Sequence, residues 1–133
     1  MNLHQIIQPA DWKQPKGYAN AILANGRILF LGGQIGWLPD QKFAAHDFLG
    51  QLEQVLHNIK RLVEDAGGIV EHITRMTWFV TEKSFYTEHQ KEIGVIYRDI
   101  LGYHFPAMTL VVVAALVEDE ALIEIEVTAV LPD

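Results

Sequence analysis

The sequence predicts a mixed helix-and-strand domain, with two helices packed on one face of one β-sheet. Three observations point to it. Two amphipathic stretches with helical spacing each lie between stretches that read as strands. The connections are short, which favours right-handed crossovers with both helices on the same face. The last third of the chain then adds two strand-like stretches, residues 109–117 and 122–131, apolar enough to need cover.

Residues 4–7 read as a short strand that Pro9 ends. Residues 9–18 hold Pro9, Pro15 and Gly17 with Trp12 and Tyr18, an irregular segment with aromatic anchors. Residues 19–24 and 27–31 flank Asn25-Gly26. That dipeptide suits a type I′ turn, whose central residues both need positive φ, so a hairpin is expected there. The second arm enters Gly32-Gly33-Gln34-Ile35-Gly36-Trp37, where glycines let backbone approach something closely.

Asp47 is placed to cap a helix that runs to Ala66 and stops at Gly67-Gly68. Leu49, Leu52, Leu56, Ile59, Val63 and Ala66 recur three and four apart and form its buried stripe. Gln51, Glu53, Gln54, Lys60, Arg61 and Glu64 fall mostly on the wet side. Residues 73–81 are rich in β-branched and aromatic side chains and predict a strand. Ser84 is placed to cap a second helix, with Tyr86, His89, Ile93, Tyr97 and Ile100 on one side and Gly102 as its stop. Gly94 inside that helix costs about 1 kcal/mol against alanine and suggests close packing.

Beyond Thr109, residues 110–117 are all apolar, so both faces of that strand need cover. The acidic turn Glu118-Asp119-Glu120 leads to an alternating strand. Ile123, Ile125, Val127, Ala129 and Leu131 point one way, and Glu124, Glu126 and Thr128 the other. Pairing these two strands sets carboxylates near an otherwise dry surface.

Helices on one face leave the other face bare, including one side of the apolar strand. A soluble monomer rarely exposes so large a patch. The sequence therefore predicts self-association through the sheet as a closed ring. A third layer built by the N-terminal segment is the alternative.

At 133 residues the chain suits a single domain spanning residues 1–133. Half of it is hydrophobic and a fifth charged, with a net charge of −7 and no basic run, so an electrostatic nucleic-acid footprint is missing. Without cysteine there is neither disulfide nor thiolate chemistry. No stretch approaches the roughly 20 apolar residues of a membrane span, and a cytoplasmic protein is the expectation.

His4, His46, His57, His72, His89 and His104 form no pair at metal-ligand spacing on one element, so neither metal nor cofactor is expected. Ser84 is the only serine and sits in no nucleophile elbow. Gly32-Gly33-Gln34 is either a strand end that must bend or a set of backbone N–H groups free to bind a ligand oxygen. Glu124 and Glu126 are either a solvated strand face or, once an oligomer covers them, carboxylates fit for proton transfer. Tyr18 is a packing aromatic or a cleft phenol.

These residues also carry a resemblance. Gly17-Tyr18 followed by Ala21 looks like a Gly-Pro-Tyr-Ser-x-Ala segment, and residues 28–35 resemble an apolar strand ending in Ser-Gly-Gln. Residues 51–67, with Asn58-Ile59-Lys60 and Ala66-Gly67, resemble a helix of the pattern Gln-x-x-x-x-Asn-Ile/Val-Lys…Ala-Gly. Phe105-Pro106-Ala107 and Ile123-Glu124-Ile125-Glu126 resemble two closing motifs. In this order they resemble the RidA/YjgF family, also called endoribonuclease L-PSP or translation-inhibitor-like, over nearly the whole chain.

The resemblance implies an α+β, chorismate-mutase-like fold with one mixed sheet, a homotrimer with its sheets inside, and a small-molecule cleft between subunits. It also implies hydrolysis of reactive imines and enamines to ketones and ammonia. Within it Glu124 is the water-positioning candidate, Gly33 a backbone contact and Tyr18 the cleft phenol. Four positions depart from the pattern: Met108 stands in place of a carboxylate-binding arginine, Gly32 in place of serine, and Ala19-Asn20 follow Tyr18 where the pattern has Ser-Gln. A thioether cannot make the bidentate contact of a guanidinium, a loss of about 2–5 kcal/mol. The expected cleft is thus more apolar, with Met108, Leu110 and Trp37 as walls and Gly32 and Gly33 as backbone contacts. Arg75 is a candidate replacement cation whose direction alternation does not settle. A non-catalytic binding trimer is the alternative function, favoured by methionine's adaptable surface, and ribonuclease or translation inhibitor ranks last.

Overall fold

A computed structural model describes residues 4–133. Strand β1 (Gln5–Ile7) pairs antiparallel with β2 (Ala21–Leu23) as a small separate sheet. The main sheet holds β3 (Arg27–Gln34), β4 (Ile73–Val80), β5 (Ala107–Val112) and β6 (Ile123–Leu131) in the order β3-β6-β4-β5. β6 runs antiparallel to both neighbours, whereas β4 and β5 are parallel, so the sheet is mixed. Helix α1 (Phe48–Asp65) connects β3 to β4, and α2 (Lys83–Thr87) with α3 (Gln90–Leu101) connects β4 to β5. No helix among the described residues is long and apolar enough to cross a membrane.

The helices share one face of the sheet, and a single core lies between the layers. Leu52, Val55, Leu56, Ile59 and Val63 of α1 and Ile93 and Tyr97 of α3 pack on Met76, Trp78, Ile123, Ile125 and Val127. Strand alternation sends Ile28, Phe30, Arg75, Thr77, Thr109, Val111, Glu124 and Glu126 to the opposite face, which no element among the described residues covers. Ile28 is 60% and Phe30 75% exposed there.

Helix α1 follows its sequence signals. The Asp47 carboxylate accepts the Gly50 N–H at 3.1 Å, and the chain turns at Ala66-Gly67, where Gly67 takes φ +88°. Gln51, expected on the wet side, is instead fully buried on the inner arc beside Phe48, Leu52 and Val55.

The strand pairings correct three expectations. Asn25-Gly26 does not make a hairpin, since β2 joins β1 and β3 joins β6. Gly26 alone has positive φ, at +150°, and a Cβ there would collide with the Leu131 carbonyl. The glycine therefore serves close approach to β6 rather than a type I′ turn. Next, β5 and β6 are not partners, because β4 lies between them. β6 buries Ile123, Ile125, Val127, Ala129 and Leu131 and takes an interior position in the sheet, leaving β5 at the edge. Finally, β5 ends at Val112, and residues 113–122 form an irregular connection in which Val117 is almost wholly exposed.

The second helix is also divided. Ser84 lies inside α2 with Glu82 at the cap position, and α3 begins only after His89, giving three helices rather than two. Gly102 ends α3 at φ +74°.

A 3₁₀ turn, Val70–His72, leads into β4. The buried His72 accepts the Ile69 N–H on Nδ1 at 3.0 Å, a contact only the neutral ring can accept. Burial lowers its pKa below the ordinary 6.5, with His4 and His104 lowering it further and Glu71 opposing them. The unfolded chain takes up this proton more readily, so the contribution is complete above 6.5 and is lost as pH falls below it. Thermal midpoints taken from about pH 7.5 down to about pH 5.5 should drop for the wild type and drop less for His72→Asn, whose amide oxygen keeps the acceptor. Parallel curves for the two proteins would remove His72 as the cause.

Candidate functional site

The residues singled out from the sequence fall into three neighbourhoods. The first lies at the β5 edge. Ala19 donates its N–H to the Pro106 carbonyl at 3.0 Å and bridges in parallel to Ala107. This pins Gly17-Tyr18 beside β5, so Tyr18, Tyr86, Met108 and Leu110 line one shallow groove. Met108 and Leu110 face the helices, because Met108 pairs with buried Met76 and Leu110 with buried Trp78.

Behind the groove Met108 also borders a cavity of about 230 Å³ between α3 and the sheet. Trp78, Tyr86, Tyr97 and Phe105 give it aromatic walls, and Lys16, Gln90 and Arg98 add polar ones. Tyr97 stacks on Phe105 at 5.3 Å and donates its hydroxyl to the His104 carbonyl at 2.7 Å. Burial pushes this phenol well above its usual range, so it remains protonated and acts as a fixed wall. The Trp78 Nε1–H is buried without an acceptor among the described residues.

The second neighbourhood is on the open face. The Glu124 side chain lies directly over Gly33, where any Cβ would collide with its carboxylate. That is the close approach for which the glycine is needed. Gly32 beside it is exposed, with open space above it, and its carbonyl accepts from Gln34 Nε2 at 3.1 Å. Glu124 sits opposite Phe79 of β4, and Glu126 opposite Thr77. Arg75 shares this face, away from Met108, in register with Thr128 and Ala107. Among the described residues the ion pairs are His46–Glu120 and Arg61–Asp65, and neither involves Glu124 or Arg75.

Trp37 belongs to neither place. It bridges to Phe43 and lines a recess with Glu118, Asp119 and Glu120. Asn58 of α1 fixes this corner, donating to the Trp37 and Ile35 carbonyls at 2.8 and 3.2 Å. Gly36 lets α1 approach, since the Gln51 side chain lies 3.2 Å from where its Cβ would be.

Within one chain, then, Tyr18, Met108 and Leu110 meet on the helix side, and Gly33 and Glu124 meet on the bare side. Sequence reasoning did not single out Lys16 or Arg98. The available signal was Gly94 four residues before Arg98, a spacing that stacks them on one helix face. Among the described residues no three histidine or carboxylate side chains gather as a metal site requires.

Comparison with known proteins matches residues 11–131 to the family model described as endoribonuclease L-PSP. A RutC family protein of Pyrococcus horikoshii is 31% identical over 129 residues, covering 96% of this chain and 98% of its own. The crystal structure of the Rid family protein YyfB from Yersinia pestis is similar with a TM-score of 0.87 and 31% identity, covering 98% and 100% of the two chains. RidA from an Antarctic Psychrobacter is similar at TM-score 0.68 and 26% identity, covering 96% and 99%.

Proposed function

Because the chain belongs to the endoribonuclease L-PSP family, with Rid and RutC proteins among its relatives, we propose that it assembles through its bare sheet into a trimer whose clefts hydrolyse a small imine or enamine. The observation that carries this reading is the division of the site. Glu124 over Gly33 and the Tyr18–Met108–Leu110 groove lie on opposite faces of one sheet. They can act on one ligand only if it is held between two copies.

In that cleft the Glu124 carboxylate accepts a proton from water as the water oxygen bonds to the imine carbon. An enamine first takes a proton on its β-carbon and loses one from nitrogen to become the imine. After water adds, the proton held by Glu124 goes to nitrogen. The carbinolamine hydroxyl passes its own proton to nitrogen through the same carboxylate as the C–N bond breaks, and a carbonyl compound and ammonia leave. Backbone groups at Gly32 and Gly33 orient the substrate, and Tyr18 closes the groove on its other side. The test is ammonia release from freshly generated 2-aminoacrylate. Acceleration over buffer is expected, falling about a hundredfold in Glu124→Gln. No acceleration excludes the activity, and an unchanged variant removes Glu124 from it.

Met108 favours a second reading, a trimer that binds an apolar metabolite without turning it over. A ligand retained in native mass spectra while ammonia release is absent would select it. Ribonuclease activity ranks last, given a net charge of −7 and no basic run.

A further inference from the structure

We propose that Arg98 of α3, with Lys16 lining the same cavity, is the anion anchor of the cavity beside Met108, and that the ligand is a small monocarboxylate with an aromatic or apolar body. The inference deepens the proposed function and rests on it for the reaction. The binding itself needs only residues of one chain.

The anchor is argued from four observations. Met108 supplies no charge, yet it shares its cavity with two cations from other elements, Lys16 and Arg98. Neither cation takes part in an ion pair among the described residues. Two like charges lining one cavity of a chain with net charge −7 favour an anion there. The walls behind them, Trp78, Tyr97 and Phe105, are aromatic, and the Trp78 Nε1–H still lacks an acceptor. The volume of about 230 Å³ suits a compact metabolite rather than a nucleotide.

Gly94 gives the arrangement a structural cause. A Cβ at this position would lie 2.9 Å from Arg98 Nη1, so the guanidinium folds back over the bare glycine. Gly94 borders the same cavity. A helix-interior glycine is ordinarily unfavourable, and here its absent side chain is the space the guanidinium occupies. Arg75 does not serve this role, since it lies on the other face of the sheet.

The experiment compares phenylacetate with its neutral isostere phenylacetamide, by calorimetry or ligand-observed NMR, on the full chain. Wild type should bind the acid about tenfold more tightly than the amide, as a charge-assisted contact at an open rim provides. Arg98→Met should abolish that preference while leaving amide binding unchanged. Gly94→Ala, which keeps the charge and favours the helix, should weaken acid binding by displacing the guanidinium. Equal binding of acid and amide, binding of neither, or a preference that survives Arg98→Met would each overturn the anchor. Sedimentation of the same samples separates the two ideas. A monomer that still prefers the acid keeps the anchor and loses the assembly, whereas a trimer without preference does the reverse.

Discussion

Replacing Gln51 with leucine is expected to lower stability by about 3 kcal/mol, although the shapes are similar and the site is fully buried. The amide ties α1 to two separate loops. Its Nε2 donates to the Ala45 carbonyl at 3.2 Å and the Glu120 carbonyl at 2.9 Å, and its Oε1 accepts the Leu122 N–H at 2.8 Å. Leucine satisfies none of these. The Leu122 N–H lies at the entry to β6, where an orphaned donor costs about 1–3 kcal/mol. The two carbonyls belong to loops closer to water and add less. For a chain of 133 residues this loss corresponds to a thermal midpoint lower by roughly 10 °C. Chemical denaturation gives the free energy directly, and a loss under about 1 kcal/mol would mean that the loops re-pair with water and the network is not a structural tie.

The same residue shows what can be read along a helix and what cannot. Asp47, the three-and-four spacing of leucines and Gly67 locate α1 within a residue of its observed ends. Polarity alone then sent Gln51 outward, although its position three after Phe48 and four before Val55 is the inner arc. A buried amide is legible only once its partners are known, and those come from residues 45, 120 and 122.

Strand partners were harder to read for a related reason. Alternation assigns each side chain to a face but does not say which strand lies alongside. Sequence proximity suggested β5 with β6, and Asn25-Gly26 suggested β2 with β3. The structure inserts β4 between the first two and puts β2 in a separate sheet with β1 while β3 joins β6, because the alternating strand buries the most apolar surface from an interior position. Arg75 illustrates a further limit. The register between β4 and β6 shifts between Ile73 and Arg75, so buried Ile73 and Met76 are three apart rather than two. Only that irregularity assigns Arg75 to the bare face. The glycine at 33 signalled a close approach, but that the Glu124 side chain is what approaches was not legible, because it depends on β3 pairing with β6. Nor was the separation of Glu124 from Met108, because it depends on which face of edge strand β5 meets the helices.

Phe30→Asp is expected to turn the proposed trimer into a 15.0 kDa particle and to abolish the proposed ammonia release. Phe30 is 75% exposed on edge strand β3, with Ile28 at 60% on the same face. Covering a phenylalanine contributes about 1.5–3 kcal/mol per subunit, and an aspartate there would bring an unpaired charge into the interface besides. In a closed ring the loss recurs at every contact, so it multiplies. The fold of the single chain should survive, because Phe30 points away from the core and Leu29 and Leu31 remain beneath it. Phe30→Leu, which keeps an apolar surface, should stay assembled. Sedimentation velocity at micromolar concentration reads both. If Phe30→Asp sediments as the wild type does, the bare face is not the contact, and Glu124 has no route to the Tyr18–Met108 groove. If it is monomeric yet still distinguishes phenylacetate from its amide, binding has been separated from turnover. Anchoring of the acid then belongs to one protomer, and the water-positioning carboxylate has to come from its neighbour.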